Sequence, residues 1–205
     1  MAIERIHEGY VKSRRVAVLS RHFADLLPDE GEVLDIGAGD GELAAAILEH
    51  KPGLTFRGLE TLVRDDTAIP IEPFDGQSIP LGDKATDYAL FSDVLHHTED
   101  PMVLLREAVR VARKGVLIKD HLVQGLLARP TLRFMDNIGN RRFGVVLPHN
   151  YWTPKQWGTA YQTLGLEREA FITRLGLYPL WANWCFGRGL HFVARLGVLS
   201  EEVGS

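Results

Sequence analysis

The segment that most constrains this chain runs from Val33 to Gly41: Val33-Leu34-Asp35-Ile36-Gly37-Ala38-Gly39-Asp40-Gly41. A buried apolar strand here carries an acid near its end and breaks into three closely spaced glycines. The segment Glu42-Leu43-Ala44-Ala45-Ala46-Ile47-Leu48-Glu49 follows at once and reads as a helix. Glycine accepts positive φ and lets the backbone approach a ligand closely. In an open α/β sheet such a strand-to-helix turn lies at the carboxyl end of a strand, where ligands bind.

The spacing narrows the ligand. A dinucleotide fingerprint has three glycines in the order G-x-G-x-x-G and seats a pyrophosphate on the helix N-terminus. Here Gly37, Gly39 and Gly41 alternate, and Glu42 stands where the third fingerprint glycine would fall. Asp35 and Glu42 would both repel a pyrophosphate, more strongly as water is excluded. A ligand with a cationic or amino-bearing head suits the loop better.

The chain beyond alternates strand-like and helix-like segments, as a parallel sheet requires. Lys51-Pro52-Gly53 stops the first helix, and Leu54 to Glu60 reads as a second strand. Ile69 to Phe74 is a short, proline-interrupted strand near an edge. Asp87 to Ser92 is the next strand. Asp100-Pro101 opens a helix with an N-cap acid and a proline at the first helical position. Leu104, Leu105, Ala108 and Val111 form its apolar stripe. Arg110, Arg113 and Lys114 suit its C-terminal end and Gly115 its cap. Val116 to Lys119 reads as a further strand. Residues 3–27 are expected to be helical, with Val16, Leu19, Phe23 and Leu26/Leu27 on one face. A helical insertion spans 125–165, and two last strands are expected near 166–175 and 190–199.

Acids recur at the predicted strand ends. Glu60 follows Gly41 by 19 residues and can accept both hydrogen bonds of a ribose diol. The same chemistry serves nicotinamide enzymes. Asp75-Gly76 is a common turn signal when alone. In step with Asp35 and Glu60 it offers an acceptor for an adenine amino group. The fourth loop, Ser92-Asp93-Val94-Leu95-His96-His97-Thr98-Glu99-Asp100-Pro101, is rich in titratable groups.

The acid-x-G-x-G-x-G loop together with these later segments resembles the Rossmann-like (class I) S-adenosylmethionine-dependent methyltransferases, and within them the small-molecule type 11, or ubiquinone-biosynthesis-like, group. The resemblance is close over about residues 30–125. It implies an α/β, doubly wound, mostly parallel seven-stranded sheet with an antiparallel last strand and helices on both faces. It implies one domain: a helical cap over 1–28, a cofactor core over 30–124, a substrate cap over 125–165 and final strands over 166–199. The cofactor implied is S-adenosylmethionine, leaving as S-adenosylhomocysteine. Gly37, Ala38 and Gly39 would lie against its methionine part, with Asp35 supporting the same end. Glu60 would meet the ribose, Asp75 and Gly76 the adenine, and the Ser92 backbone the methionine amino group. Tyr10 would close over the cofactor from the N-terminal helix.

Methyl transfer of this kind is an in-line displacement, so alignment of the nucleophile and exclusion of water dominate. A hydroxyl acceptor also calls for a general base, most often histidine. His121, His96 and Asp93 are the candidates. Asp120 and His121 are adjacent on a strand and should point to opposite sides, so they are not expected to touch while the strand continues. His97 is expected to be structural. Neither His97 nor His121 has a second ligand at metal spacing in the sequence, so no metal is expected.

Specificity is expected in the insertion, among Arg133, Phe134, Asp136, Asn137, Asn140, Arg141, Arg142, His149, Asn150, Tyr151 and Trp152. The aromatic run 177–186 suits core packing at the sheet edge, with a homodimer contact or a membrane-surface rest as alternatives. The formal net charge of −4 gives no electrostatic case for duplex nucleic acid. The acceptor is therefore expected to be a small molecule. Cys185 is the single cysteine, so no internal disulfide forms. The first residues lack a signal-like apolar run and no stretch is long and apolar enough to span a bilayer. A cytoplasmic location is expected. Two other functions fit the motifs less well: a Rossmann-type nucleotide-binding oxidoreductase, and a non-catalytic cofactor- or partner-binding protein of the same fold.

Overall fold

The computed structural model describes residues 2–140, 148–178 and 189–199, the backbone alone for 2–12 and 136–140. The elements run α1 (Ala2–Leu26), β1 (Glu30–Ile36), α2 (Glu42–His50), β2 (Gly53–Glu60), β3 (Ile71–Pro73), β4 (Thr86–Ser92), α3 (Pro101–Val111), β5 (Ala112–His121), α4 (Ala128–Asn140), α5 (Pro154–Thr163), β6 (Leu166–Ile172) and β7 (His191–Val198). They form one seven-stranded sheet in the order β3-β2-β1-β4-β5-β7-β6. The strands from β3 to β5 pair in parallel, and β7 pairs antiparallel with both β5 and β6. This is the mixed, doubly wound sheet that the motif resemblance implies.

Side chains alternate across the central strands and separate two cores. Leu34, Ile36, Ala89, Phe91, Val116, Ile118 and Phe192 face α3 and α5. Val33, Tyr88, Leu90, Leu117 and Val193 face α1 and α2. Burial on both faces explains why β4 and β5 read as near-continuous apolar runs. Leu19 and Phe23 of α1, with Leu27 just beyond its end, pack the helix onto the sheet, as their spacing predicts. A smaller cluster of Ala128, Leu132, Tyr151 and Leu190 holds the start of α4.

Helix ends follow local chemistry. The Asp100 side chain accepts from Met102 N–H, with Pro101 at the first helical position. Thr153 and Gln156 form a reciprocal capping box on α5. The end of α3 departs from the sequence expectation. The helix stops at Val111 and β5 begins directly at Ala112, so Gly115 lies inside a strand and caps nothing. A Cβ on Gly115 would stand 2.6 Å from the Leu196 carbonyl oxygen, so glycine permits the close β5–β7 approach. Arg113 and Lys114 pair with Asp87 instead of serving the helix end.

The register gathers the strand ends. Ile36 lies opposite Leu59 and Phe91, Glu60 opposite Pro73, and Ser92 opposite Lys119. The loops after β1, β2, β3, β4 and β5 therefore open on one edge. Because β7 runs backwards, its first residue joins them: His191 lies opposite His121. No helix among the described residues is long and apolar enough to cross a membrane.

Candidate active site

The first half of the site is the glycine loop. Gly37, Gly39 and Gly41 adopt φ of 75°, 63° and 76°, a left-handed region that ordinary side chains disfavour. Gly37 and Ala38 N–H both donate to the Leu59 carbonyl, at 2.8 and 3.1 Å, which ties the loop to β2. A Cβ on Gly37 would stand 2.5 Å from Val94 Cγ2, and one on Gly41 2.6 Å from Ile69 Cγ1. A Cβ on Gly39 would meet nothing within 4 Å among the described residues. Two glycines thus answer to packing, and Gly39 faces open space.

Glu60 closes this half. Its carboxylate accepts from Gly39 N–H and Thr61 N–H, both at 2.8 Å. Asp35 is buried beneath the loop, and desolvation, helped by the Glu60 charge, raises its pKa to about 7. Asp75 is exposed, and its Oδ1 accepts from Gln77 and Ser78 N–H, both at 2.7 Å. Those backbone donors hold its carboxyl below the usual range. Gly76, at φ 78°, completes the turn beside Thr61. Ser92 ends β4 on the same edge. The Tyr10 backbone belongs to α1, but its side chain lies outside the described residues.

The second half is a buried polar cluster at the ends of β4 and β5. His96 Nδ1 lies 2.7 Å from Asp120 Oδ1 and 3.2 Å from His121 Nδ1. Asp120 Oδ1 also stands 3.4 Å from His121 Nδ1 and accepts the His121 N–H at 2.6 Å. His96, His121 and Asp120 are almost fully buried. This corrects the expectation that Asp120 and His121 cannot touch. The strand does continue through His121, but the short Asp120 carboxylate turns forward along its own backbone and meets the next residue. Burial acts to raise Asp120, yet the neighbouring His96 and His121 outweigh it and hold the carboxyl well below its usual range. Burial, then the His96 charge, lowers His121 to about 4.

Asp93 adopts φ 59°, an unusual backbone state for a residue with a side chain. It accepts from Lys119 and from Arg15 on α1, and its Oδ1 lies 3.8 Å from His121 Nδ1. The two cations outweigh burial and hold it well below the carboxylate range. Burial, then Arg15, lowers fully buried Lys119 to about 8. Lys119 Nζ is 3.4 Å from His191 Nδ1, whose Nε2 is 3.2 Å from the Tyr178 hydroxyl. Tyr151 packs against both His96 and His121, with ring centres at 5.6 and 5.5 Å. Trp157 Nε1 donates to the His121 carbonyl at 3.2 Å.

The three residues named from sequence for catalysis, His96, His121 and Asp93, therefore come together, with ligand atoms within 4.8 Å of one another. His97 sits in a single 3-10 turn, Leu95–His97, and its ring packs on His96 with centres 3.9 Å apart. Lys119, Asp120 as a partner of His96, Arg15, Tyr151 and His191 are the residues that sequence reasoning did not assign to this cluster. The signal available for His191 was the pairing register of the last strand with β5. Arg141, Arg142 and residues 179–186 of the aromatic run lie outside the described residues, as do the side chains of Asp136, Asn137 and Asn140.

Known proteins resemble this chain in sequence and in fold. A family profile described as a methyltransferase domain matches residues 8–169. An uncharacterised methyltransferase of Mycobacterium sp. (strain JLS) is 35% identical over 109 residues, covering 50% of this chain and 42% of that protein. One from Mycobacterium leprae (strain TN) is 33% identical over 110 residues, covering 49% and 39%. The chain thus spans less than half the length of these curated relatives. Among solved structures, a methyltransferase-like protein of Bacillus halodurans superposes with a TM-score of 0.64 at 17% identity, over 90% of this chain and 99% of that one. A Haloferax volcanii protein solved in complex with the Trm112 methyltransferase activator superposes at 0.69 and 15% identity, over 94% of each chain. At these identities the structures speak for the fold, while the profile covers most of the sequence: the chain belongs to the class I, Rossmann-like S-adenosylmethionine-dependent methyltransferase family.

Proposed function

We propose that this protein transfers a methyl group from S-adenosylmethionine to a small organic acceptor docked at the His96–His121–Asp120 cluster. The single observation that carries the acceptor half is the convergence of two imidazoles on Asp120 Oδ1, at 2.7 and 3.4 Å, beside the cofactor edge.

The residues present fit the cofactor. Gly39 faces open space where a Cβ would intrude on a ligand. Glu60 offers a carboxylate to the ribose diol, and Asp75 keeps an exposed carboxylate toward an adenine amino group. Gly37, Ala38, the Ser92 backbone and Asp35 serve the methionine end. When bound, the cofactor supplies an activated methyl group on a sulfonium leaving group.

The chain's own work is to bind, orient and keep water out. The acceptor's nucleophilic atom forms a bond to the methyl carbon as the sulfur–carbon bond breaks, and the acceptor gives up a proton. The buried cluster handles that proton: Asp120 orients His96, and His121, held neutral at ordinary pH, can accept a hydrogen bond. Tyr151 and Trp157 wall the compartment and exclude water, which strengthens each of these contacts. The formal net charge of −4 argues for a small molecule over nucleic acid.

Binding separates this reading from a nicotinamide-dependent one. S-adenosylhomocysteine at about 100 times its Kd should stabilise the fold by about 2.7 kcal/mol, seen as a raised melting temperature. NAD and NADP should leave the melting temperature unchanged. Stabilisation by NAD alone would overturn the proposal.

A further inference from the structure

We infer that His96, His121 and Asp120 hold a divalent transition-metal ion, with Asp93 beside it. The inference concerns the acceptor end of the proposed methyltransferase site but rests on the cluster's geometry and not on the reaction. In the sequence Asp120 and His121 lie 24 and 25 positions from His96, far from a metal-ligand spacing. The β4–β5 register, with Ser92 opposite Lys119, brings them together.

Three ligand atoms form a compact triangle. His96 Nδ1 and Asp120 Oδ1 are 2.7 Å apart, the two Nδ1 atoms 3.2 Å, and His121 Nδ1 and Asp120 Oδ1 3.4 Å. Such a triangle has a circumscribed circle of radius about 1.8 Å, so an ion slightly off its plane stands about 2.0–2.1 Å from every corner, the distance for nitrogen and oxygen ligands of zinc. Asp93 Oδ1, 3.8 Å from His121 Nδ1, flanks the position.

Charge gives a second, independent argument. Asp93 has Arg15 and Lys119 for its two oxygens. Asp120 is more deeply buried than Asp93, and the side chains that face it at close range are the imidazoles of His96 and His121. Its Oδ2 is buried without a hydrogen-bond partner among the described residues. A buried carboxylate in that state calls for a cation. Imidazole with carboxylate selects zinc, cobalt, nickel or iron over magnesium or calcium. One carboxylate leaves such an ion with a net positive charge. The remaining coordination position therefore favours an acceptor that binds as an anion, such as a phenolate, enolate or thiolate, its proton released to solvent on binding. With the ion in place the imidazoles act as ligands, and the base role proposed above belongs to the metal-free cluster.

The test uses the full chain, stripped with a chelator and titrated with Co2+ and Zn2+. The expected result is one equivalent of Co2+, a visible d–d absorption band and two paramagnetically shifted imidazole resonances, with the band displaced by Zn2+. His121→Asn and Asp120→Asn should each weaken Co2+ binding at least tenfold while S-adenosylhomocysteine still raises their melting temperature. His50→Gln, on the exposed end of α2, should change nothing. Absence of the band and of shifted imidazoles in the wild-type chain overturns the metal site whether or not the variants fold. The compensating cation is then a proton on an imidazole. S-adenosylhomocysteine binding without metal binding defeats this inference alone, and metal binding without S-adenosylhomocysteine binding defeats the methyltransferase proposal alone.

Discussion

His96 Nδ1 sits 2.7 Å from Asp120 Oδ1, the histidine in the 3-10 turn that follows β4 and the aspartate one residue from the end of β5, both almost fully buried. Their contact exists because β4 ends at Ser92 opposite Lys119, so the turn after β4 lies beside the last residues of β5. Asp120→Asn keeps the shape but removes the charge that orients His96. Turnover with an acceptor found by screening should fall about 100-fold or more, within the range of a lost acid–base group. Calorimetry should find S-adenosylhomocysteine affinity changed less than about threefold. His121→Ala should show the same split. Equal loss of turnover and affinity in both variants would make the cluster structural.

Glu60 does two things at once: it secures the Gly39 and Thr61 N–H groups and presents a carboxylate to the cofactor edge. Glu60→Gln retains an acceptor oxygen for one of those donors and loses the charge. Charge-assisted hydrogen bonds are worth about 1.5–3 kcal/mol, so S-adenosylhomocysteine binding should weaken roughly 10- to 100-fold. Asp75 needs two variants, since its Oδ1 also builds the turn to Ser78. Asp75→Asn preserves that acceptor and reports the adenine contact. Asp75→Ala reports both. Unchanged affinity in Glu60→Gln and Asp75→Asn together would displace the cofactor from this edge.

The glycines of the first loop should separate by experiment. Alanine at either Gly37 or Gly39 meets backbone strain of about 1–2 kcal/mol at positive φ. Only at Gly37 does the new Cβ also collide with a packed side chain, Val94 Cγ2 at 2.5 Å. Gly37→Ala should therefore melt several degrees below Gly39→Ala, at about 2–4 °C per kcal/mol for a chain of this size. Gly39→Ala should instead lose cofactor affinity, because its Cβ projects into open space. Thermal melts with and without S-adenosylhomocysteine would show the two effects trading places.

Local chemistry written in consecutive residues is legible in the sequence. The strand-to-glycine turn, the Asp100-Pro101 helix start and the acids at the ends of β2 and β3 all depend on neighbours in the chain. What depends on register is hidden. Nothing near Arg15 says that it meets Asp93, and His191 reads as a polar interruption of an apolar stretch until β7 pairs with β5. The Asp120–His121 contact escapes the sequence because side-chain alternation describes Cβ directions, while a carboxylate can still bend toward its own strand end. The end of α3 escapes it for a related reason: Arg113 and Lys114 suit a helix terminus, but Asp87 on the adjoining strand claims them.

Asp35 should make the stability of the cofactor-free protein fall as pH rises. Its carboxyl titrates near 3.8 in an unfolded chain and is raised to about 7 in the fold, by burial first and the Glu60 charge second. The folded state thus holds the proton more tightly. The resulting stabilisation is complete below the unfolded pKa, shrinks between about pH 4 and pH 7, and is gone once pH has passed through the folded pKa. The total is on the order of a few kcal/mol, since each tenfold gain in proton affinity corresponds to about 1.4 kcal/mol. Urea midpoints measured from pH 5 to 8 should decline and then level off for the wild-type chain. Asp35→Asn, which is neutral throughout, should remove most of that decline and be the more stable protein at pH 8. An unchanged slope in Asp35→Asn would assign the pH dependence to another group and leave Asp35 ionised in the fold.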